Sequence, residues 1–328
     1  MTIRFKNNTI EFESGTKKWV LGETDNGFDF TGTIRASNFV SFANIGVAKG
    51  YTSGGATTSV ISSFPFANNA NATGVGNLTD LHIYAGGTSS STHGYTAGGN
   101  NGTIINVIDR FPFSANTNAS DVGDLTVARE AVSAQTSSTH GYTSAGYTAT
   151  STLQNVIDRF PFSANTNASD VGDVTVARRY PAGQSSDSTG YVSGGLTTPM
   201  YVNTIDRFPF ATNENATNVG SLSLSRGFTA GQNSFTHGYT SGGTYGTITS
   251  RIDKFPFVSN GTATTVGSLT MSRTAVVGQS SNAWGYNSGG GTPTNTNIID
   301  RFPFASDASA SDVGDLSVPT QGAAGQQV

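Results

Sequence analysis

Three short motifs recur six times, in one order, along the 328 residues of this chain. The triplet Phe-Pro-Phe starts at Phe64, Phe111, Phe160, Phe208, Phe255 and Phe302, at spacings of 47, 49, 48, 47 and 47. A Gly-Tyr motif running into glycines keeps step with it, from Gly50, Gly94, Gly141, Gly190, Gly238 and Gly285. A third phrase, "VGDLTVAR" or a close variant, closes the units. Asn106–Arg129 returns as Asn155–Arg178 with one change in 24 residues, Leu125 to Val174. Such a chain is assembled from copies of one supersecondary unit, and a period near 48 points to a repeat architecture.

Each unit reads as four strands. "TAVVGQSS" (Thr274–Ser281) is small and apolar, and the Gly-Tyr segment alternates and ends in residues suited to a tight turn. "NVIDRFPF" is β-branched and aromatic, with Val107, Asp109, Phe111 and Phe113 expected on one side and Ile108 and Arg110 on the other. "DVGDLTV" supplies a short fourth strand. The segments between are rich in Asn, Ser, Thr and Gly, which is turn chemistry. No stretch carries a 3.6-residue apolar period of helical length. Charged residues make up only 12%, but 20 Phe and 11 Tyr are enough to build a core. The Phe-Pro-Phe triplets hold 12 of those Phe. Residues present in every unit are expected to pack unit against unit rather than to form six sites.

Four-stranded units repeated six times predict an all-β fold, a six-bladed β-propeller. The order of cues resembles the kelch repeat from about Asn38 to the C-terminus: a small apolar strand, an aromatic and Gly-Gly strand, a strand with an acidic residue and aromatics, then a strand ending near Arg. Kelch units usually carry Trp in the fourth strand. Here Val122, Val171, Val219, Val266 and Val313 hold that place, and the Phe-Pro-Phe rings are expected to supply the bulk.

The seam of the ring is legible. The C-terminal "TQGAAGQQV" aligns with the first strand of a unit, so Gln321–Val328 is expected to complete blade 1. Aspartates recur at Asp109, Asp158, Asp206, Asp253 and Asp300, and arginines at Arg129, Arg178, Arg226 and Arg273. Blade 1 has Ser62 at the aspartate position, and Thr320 stands at the arginine position before it. Both partners are lost at one seam, which fits pairing of each arginine with the next blade: Arg129 with Asp158, Arg178 with Asp206, Arg226 with Asp253 and Arg273 with Asp300.

Residues 1–36 lie outside the repeat, and 37–328 form the expected propeller. "TIEF", "KWVL" and "FDFTGTI" look like short strands, a β extension with too little sequence for an independent core. "DFTGTIRASNFVS" (Asp29–Ser41) resembles phrases of phage tail-fibre and structural proteins. The whole resembles kelch-like propeller proteins of marine phages. The resemblance implies a virion protein made in the host cytoplasm. Other virion proteins would be its partners through the N-terminal segment, and the resemblance leaves a homotrimer open.

Chemistry is sparse in the sequence. Without cysteine, neither disulfides nor thiolate metal sites can form. The copper chemistry of kelch-type oxidases, which needs a cysteine-linked tyrosine, does not carry over. His93, His140 and His237 share one repeat register in different blades and His82 stands apart, so structural roles are expected. "NTNASDVGD" (Asn116–Asp124) lacks the D-x-D-x-D-G order of a calcium loop and reads as a polar turn. No cofactor is expected. A net charge of −4 without Lys/Arg clusters argues against nucleic acid, and no apolar run suits membrane insertion or a signal peptide.

What varies between units is the loop after the glycines. It offers Asn100, Asn101, Tyr147, Met200, Tyr201 and Tyr245 as candidate recognition residues on a rigid scaffold. The expected function is a non-enzymatic virion component, in a tail fibre or as decoration, that binds a host-surface glycan or protein. The alternatives are a bacterial kelch-type interaction module in the cytoplasm and a glycan-active propeller enzyme.

Overall fold

The computed structural model describes Thr2–Lys6, Thr9–Ser14, Lys17–Gly22 and all residues from Ala48 to Val328. The chain divides into two compact units, Met1–Ala43 and Asn44–Val328. In the first, three strands (Thr2–Lys6, Thr9–Ser14, Lys17–Gly22) form an antiparallel meander. The phrase Asp29–Ser41 lies outside the described residues.

The second unit is a six-bladed β-propeller with no helix among the described residues. Blade 3 shows the pattern: Ser133–Thr136 innermost, then His140–Ser144, Val156–Pro161 and Ser169–Asp173 outermost, all antiparallel. In blade 1 the innermost strand is Ala324–Gln327, paired with Lys49–Ser53, followed by Val60–Pro65 and Thr73–Asn77. The two ends of the propeller thus share one sheet.

The repeated aromatics form the seams between blades. Tyr142 of blade 3 packs on Phe208 and Phe210 of blade 4, with ring centroids 5.6 and 4.8 Å apart. Tyr51, Tyr95, Tyr191, Tyr239 and Tyr286 do the same with the Phe pair of the next blade. Each buried ring contributes about 1.5–3 kcal/mol from area alone. Tyr142, Ile157, Val171 and Val174 of blade 3 join Phe208 and Ala216 of blade 4 in one cluster. The glycine before each tyrosine makes room for this packing: Gly141 lies opposite Phe160, and a Cβ there would run into that ring.

The third strand alternates as expected: Asp109, Phe111 and Phe113 face the preceding blade, whereas Ile108 and Arg110 face the following one. Ile157 and Asp158, adjacent in sequence, are both fully buried. A blade has neighbours on both faces, so both sides of its strands are covered. The pairing with the outer strand also shifts register between Ile157 and Asp158, a bulge that turns Val171 inward. The repeated "NTNAS" segment has a structural task of its own. The Asn167 side chain accepts from the Asp124 amide of the preceding blade at 3.1 Å, and Ala168 N donates to Asp124 O at 2.7 Å. The loop thereby covers an outer strand edge that would otherwise be open to pairing.

Around the axis the inner strands approach closely. A Cβ at Gly183 would run into the carbonyl of Ala134, and one at Gly231 into that of Gly183. Just outside this waist, Gln135, Gln184, Gln232, Gln279 and Gln326 each donate through Nε2 to a tyrosine carbonyl of the next blade, at 2.9–3.1 Å. Blade 2 has Thr88 in the glutamine position.

Candidate recognition face

Five of the six connections from an outer strand to the next inner strand are fixed by one buried aspartate each. Asp158 accepts from the Thr126 amide at 2.9 Å, from the Thr126 hydroxyl at 2.6 Å and from Arg129 Nη2 at 3.2 Å. Arg178–Asp206, Arg226–Asp253 and Arg273–Asp300 repeat the arrangement at 3.0, 2.8 and 2.6 Å. All eight side chains are fully buried. Each pair runs from the connection into the blade that follows it. Burial pulls each guanidinium below its ordinary value, while the facing aspartate opposes that shift. Further donors from the arginines go to main-chain carbonyls, as from Arg129 Nη2 to Thr143 O at 2.9 Å.

Asp109 has a partner that the arginine spacing does not reveal. His82 stands three residues after Thr79, as Arg129 stands after Thr126. Its Nε2 lies 3.4 Å from Asp109 Oδ2, and its Nδ1 lies 2.8 Å from Gly98 O. The Thr79 amide and hydroxyl also bond Asp109. The hydroxyl at this register (Thr79, Thr126, Thr175, Ser223, Thr270) is visible in the repeat but carries no signal without the fold. At the seam, Ser62 and Ser317 replace the ionic pattern with a hydroxyl contact of 2.6 Å.

Two residues beyond His82, the four arginines and Thr320, the chain adopts left-handed backbone: Tyr84 (φ 59°), Ala131 (57°), Tyr180 (58°), Phe228 (58°), Ala275 (52°) and Gly322 (64°). Each of these donates its amide to the carbonyl of the one before, Tyr84 donating to Gly322, at 2.6–2.9 Å. Six hydrogen bonds thus close a ring about the axis. Three members are aromatic and three are small. Tyr180 stacks on Phe228 at 3.6 Å, and Tyr84 meets Tyr180 edge-on at 5.1 Å. A side chain at Gly322 would collide with the Tyr84 ring. These rings are half-buried and cap a cavity of about 80 Å³; a channel of about 620 Å³ runs along the inner strands on the other side. Burial raises the Tyr84 and Tyr180 hydroxyls above the ordinary tyrosine value, and Glu130 adds to the rise.

A second ring surrounds the first. Main-chain bridges join Ile83 to Asn100, Glu130 to Tyr147, Arg179 to Leu196, Gly227 to Thr244 and Thr274 to Gly291. The loops predicted for recognition therefore share a face with the axial aromatics. Asn100 Nδ2 donates to Glu130 at 3.0 Å, and Asn101 Nδ2 donates to Asp80 at 2.7 Å. The Leu81 amide, and then Asn101, hold the Asp80 carboxyl below the ordinary carboxylate range. The Tyr147 ring lies under the Arg179 guanidinium at 4.5 Å. Met200 and Tyr201 form one arm of a small hairpin with Leu196–Thr197, and Met200 and Tyr245 are exposed. Tyr84, Glu130, Arg179, Tyr180 and Phe228 carry no signal in the linear sequence. They come from four connections some 48 residues apart, and only closure of the ring makes these neighbours.

Among the described residues, no three His, Asp or Glu side chains converge as a metal site. No match was found among protein-family models or among curated proteins.

Proposed function

We propose that this protein is a non-enzymatic recognition component of a phage particle. It attaches through the propeller face that carries the axial ring and the second-to-third-strand loops to a molecule of the host surface. The N-terminal unit is the anchor in this reading, on the strength of the tail-fibre-like phrase at Asp29–Ser41. One observation carries the assignment of the face. Asn106–Arg129 and Asn155–Arg178 are identical but for one residue, and they diverge where the chain reaches this face, Glu130-Ala131 in one and Arg179-Tyr180 in the other. Scaffold positions are held while face positions are not, the pattern of a rigid support presenting variable contacts.

The test is adsorption of fluorescently labelled full-length protein to candidate host cells. Saturable binding is expected. Replacing Met200, Tyr201 and Tyr245 together by serine should weaken it, whereas Asp187→Asn at the opposite mouth of the channel should not. Absence of binding across a broad host panel, or a loss that follows only the opposite mouth, would overturn the reading.

A further inference from the structure

We propose that Arg179, Glu130 and the aromatic cluster at the axis form a binding site for a neutral pyranose of a surface polysaccharide. This rests on the recognition face described above and names its ligand class.

The first observation is an unfilled donor. Arg179 is half-buried, its guanidinium carbon 4.5 Å from the Tyr147 ring centroid and 5.5 Å from that of Tyr180. Its Nε is shielded from solvent and has no hydrogen-bond partner. Among the described residues, no carboxylate lies within 4.0 Å of it. The preceding residue, Arg178, is paired with Asp206 and bonded to Val192 O. Arg179 Nε itself is out of a ligand's reach; the two terminal guanidinium nitrogens, which make no ion pair among the described residues, are the donors that can receive an acceptor from outside.

The second observation is the acceptor beside it. Glu130 occupies the same register in the neighbouring connection, and its carboxylate takes one hydrogen bond from Asn100. It leaves lone pairs for a donor. One positive and one negative group flank the axis, so the pair adds no net charge and a ligand need bring none to match it. That ligand must both accept and donate, as vicinal hydroxyls do.

The third is the platform. Tyr84, Tyr180 and Phe228 hold left-handed backbone, which costs a bulky L-residue about 1–2 kcal/mol relative to the right-handed region. Gly322 takes the same register without that penalty. Ala131 and Ala275 hold the same backbone, so the ring geometry sets the strain, and what distinguishes Tyr84, Tyr180 and Phe228 is the aromatic surface they bring to the axis. The axial C–H groups of a pyranose match an aromatic face, and its equatorial hydroxyls match an Arg/Glu rim. A peptide would instead present charged or extended main-chain groups to a patch of this size.

The experiment is saturation-transfer NMR on the full chain with methyl glycosides of glucose, galactose and mannose, with glucuronate and an unrelated basic tripeptide as the other arms. At least one neutral glycoside should bind at millimolar concentration, with transfer strongest at its ring protons. Arg179→Met keeps the aliphatic stem between the rings and should weaken that binding about tenfold or more without shifting the melting temperature. Tyr180→Leu should weaken it comparably, while Asp187→Asn should leave it intact. The inference is overturned if no glycoside binds, if only glucuronate or the tripeptide binds, or if binding survives both Arg179→Met and Tyr180→Leu. Host-cell adsorption that persists in Arg179→Met would sink the sugar site and leave the wider reading of the face standing.

Discussion

A single aspartate per blade shows how far one residue reaches. Asp206 takes donors from Thr175 and Arg178 and so fixes the connection that carries Tyr180 to the axis. Arg178→Met should leave Asp206 buried with an uncompensated charge and cost about 3–5 kcal/mol of unfolding free energy in denaturant titrations. His82→Arg should be tolerated or stabilising by the same measurement, because it restores the arrangement of four other blades. The arginine–aspartate pairs were legible from sequence because both partners vanish at one seam. His82 was not, since a change of residue type hides the shared position. Histidine also sets a pH dependence. Burial, with help from Arg110, Arg159 and Lys254 respectively, pulls the imidazoles of His93, His140 and His237 below the ordinary value. In the unfolded chain these imidazoles titrate at about 6.5, so that state binds more protons in the interval below this value. Stability is therefore full above the unfolded value and falls as pH drops through the interval. Melting temperatures from neutral to mildly acid pH should decline, and changing all three histidines to glutamine should reduce the decline.

At the scale of elements, period-2 patterning and turn chemistry located the four strands of each unit to within a few residues. The inner strand is shorter than its apolar run: Val277–Ser280 against Thr274–Ser281. Its first residues are drawn instead into the axial ring, with Ala275 in left-handed backbone and bonded to Phe228 O. The two-sided pattern expected of the third strand holds, and both sides are covered because a blade has a neighbour on each side. The glutamine belt shows coupling between strands of one blade. Gln135, Gln184, Gln279 and Gln326 bond Ser144, Ser193, Ser288 and Ser53 of the second strand, and blade 2, which has Thr88, has Ala97 there. A buried amide and a buried hydroxyl satisfy each other, so they are kept or lost together.

For the whole molecule, closure is the decisive event. The strand Ala324–Gln327 completes blade 1, Gln326 bonds Tyr95 O of blade 2, and Gly322 completes the axial ring. Removing Gln321–Val328 should abolish cooperative melting in calorimetry or lower its midpoint sharply, and a synthetic peptide of those residues should restore part of the loss. A truncated protein melting like the full chain would show that the closing strand does not hold the ring together. The repeat period, the four-strand grammar of the unit, the inter-blade aromatics and the register of the ion pairs were determined by the sequence alone, because each is a local pattern or a regular spacing. The axial aromatic cluster and the Arg179–Glu130 pair of charges were decided only in three dimensions. Their members sit in different repeats, and hydrogen bonds around a closed ring, not proximity along the chain, bring them to one point.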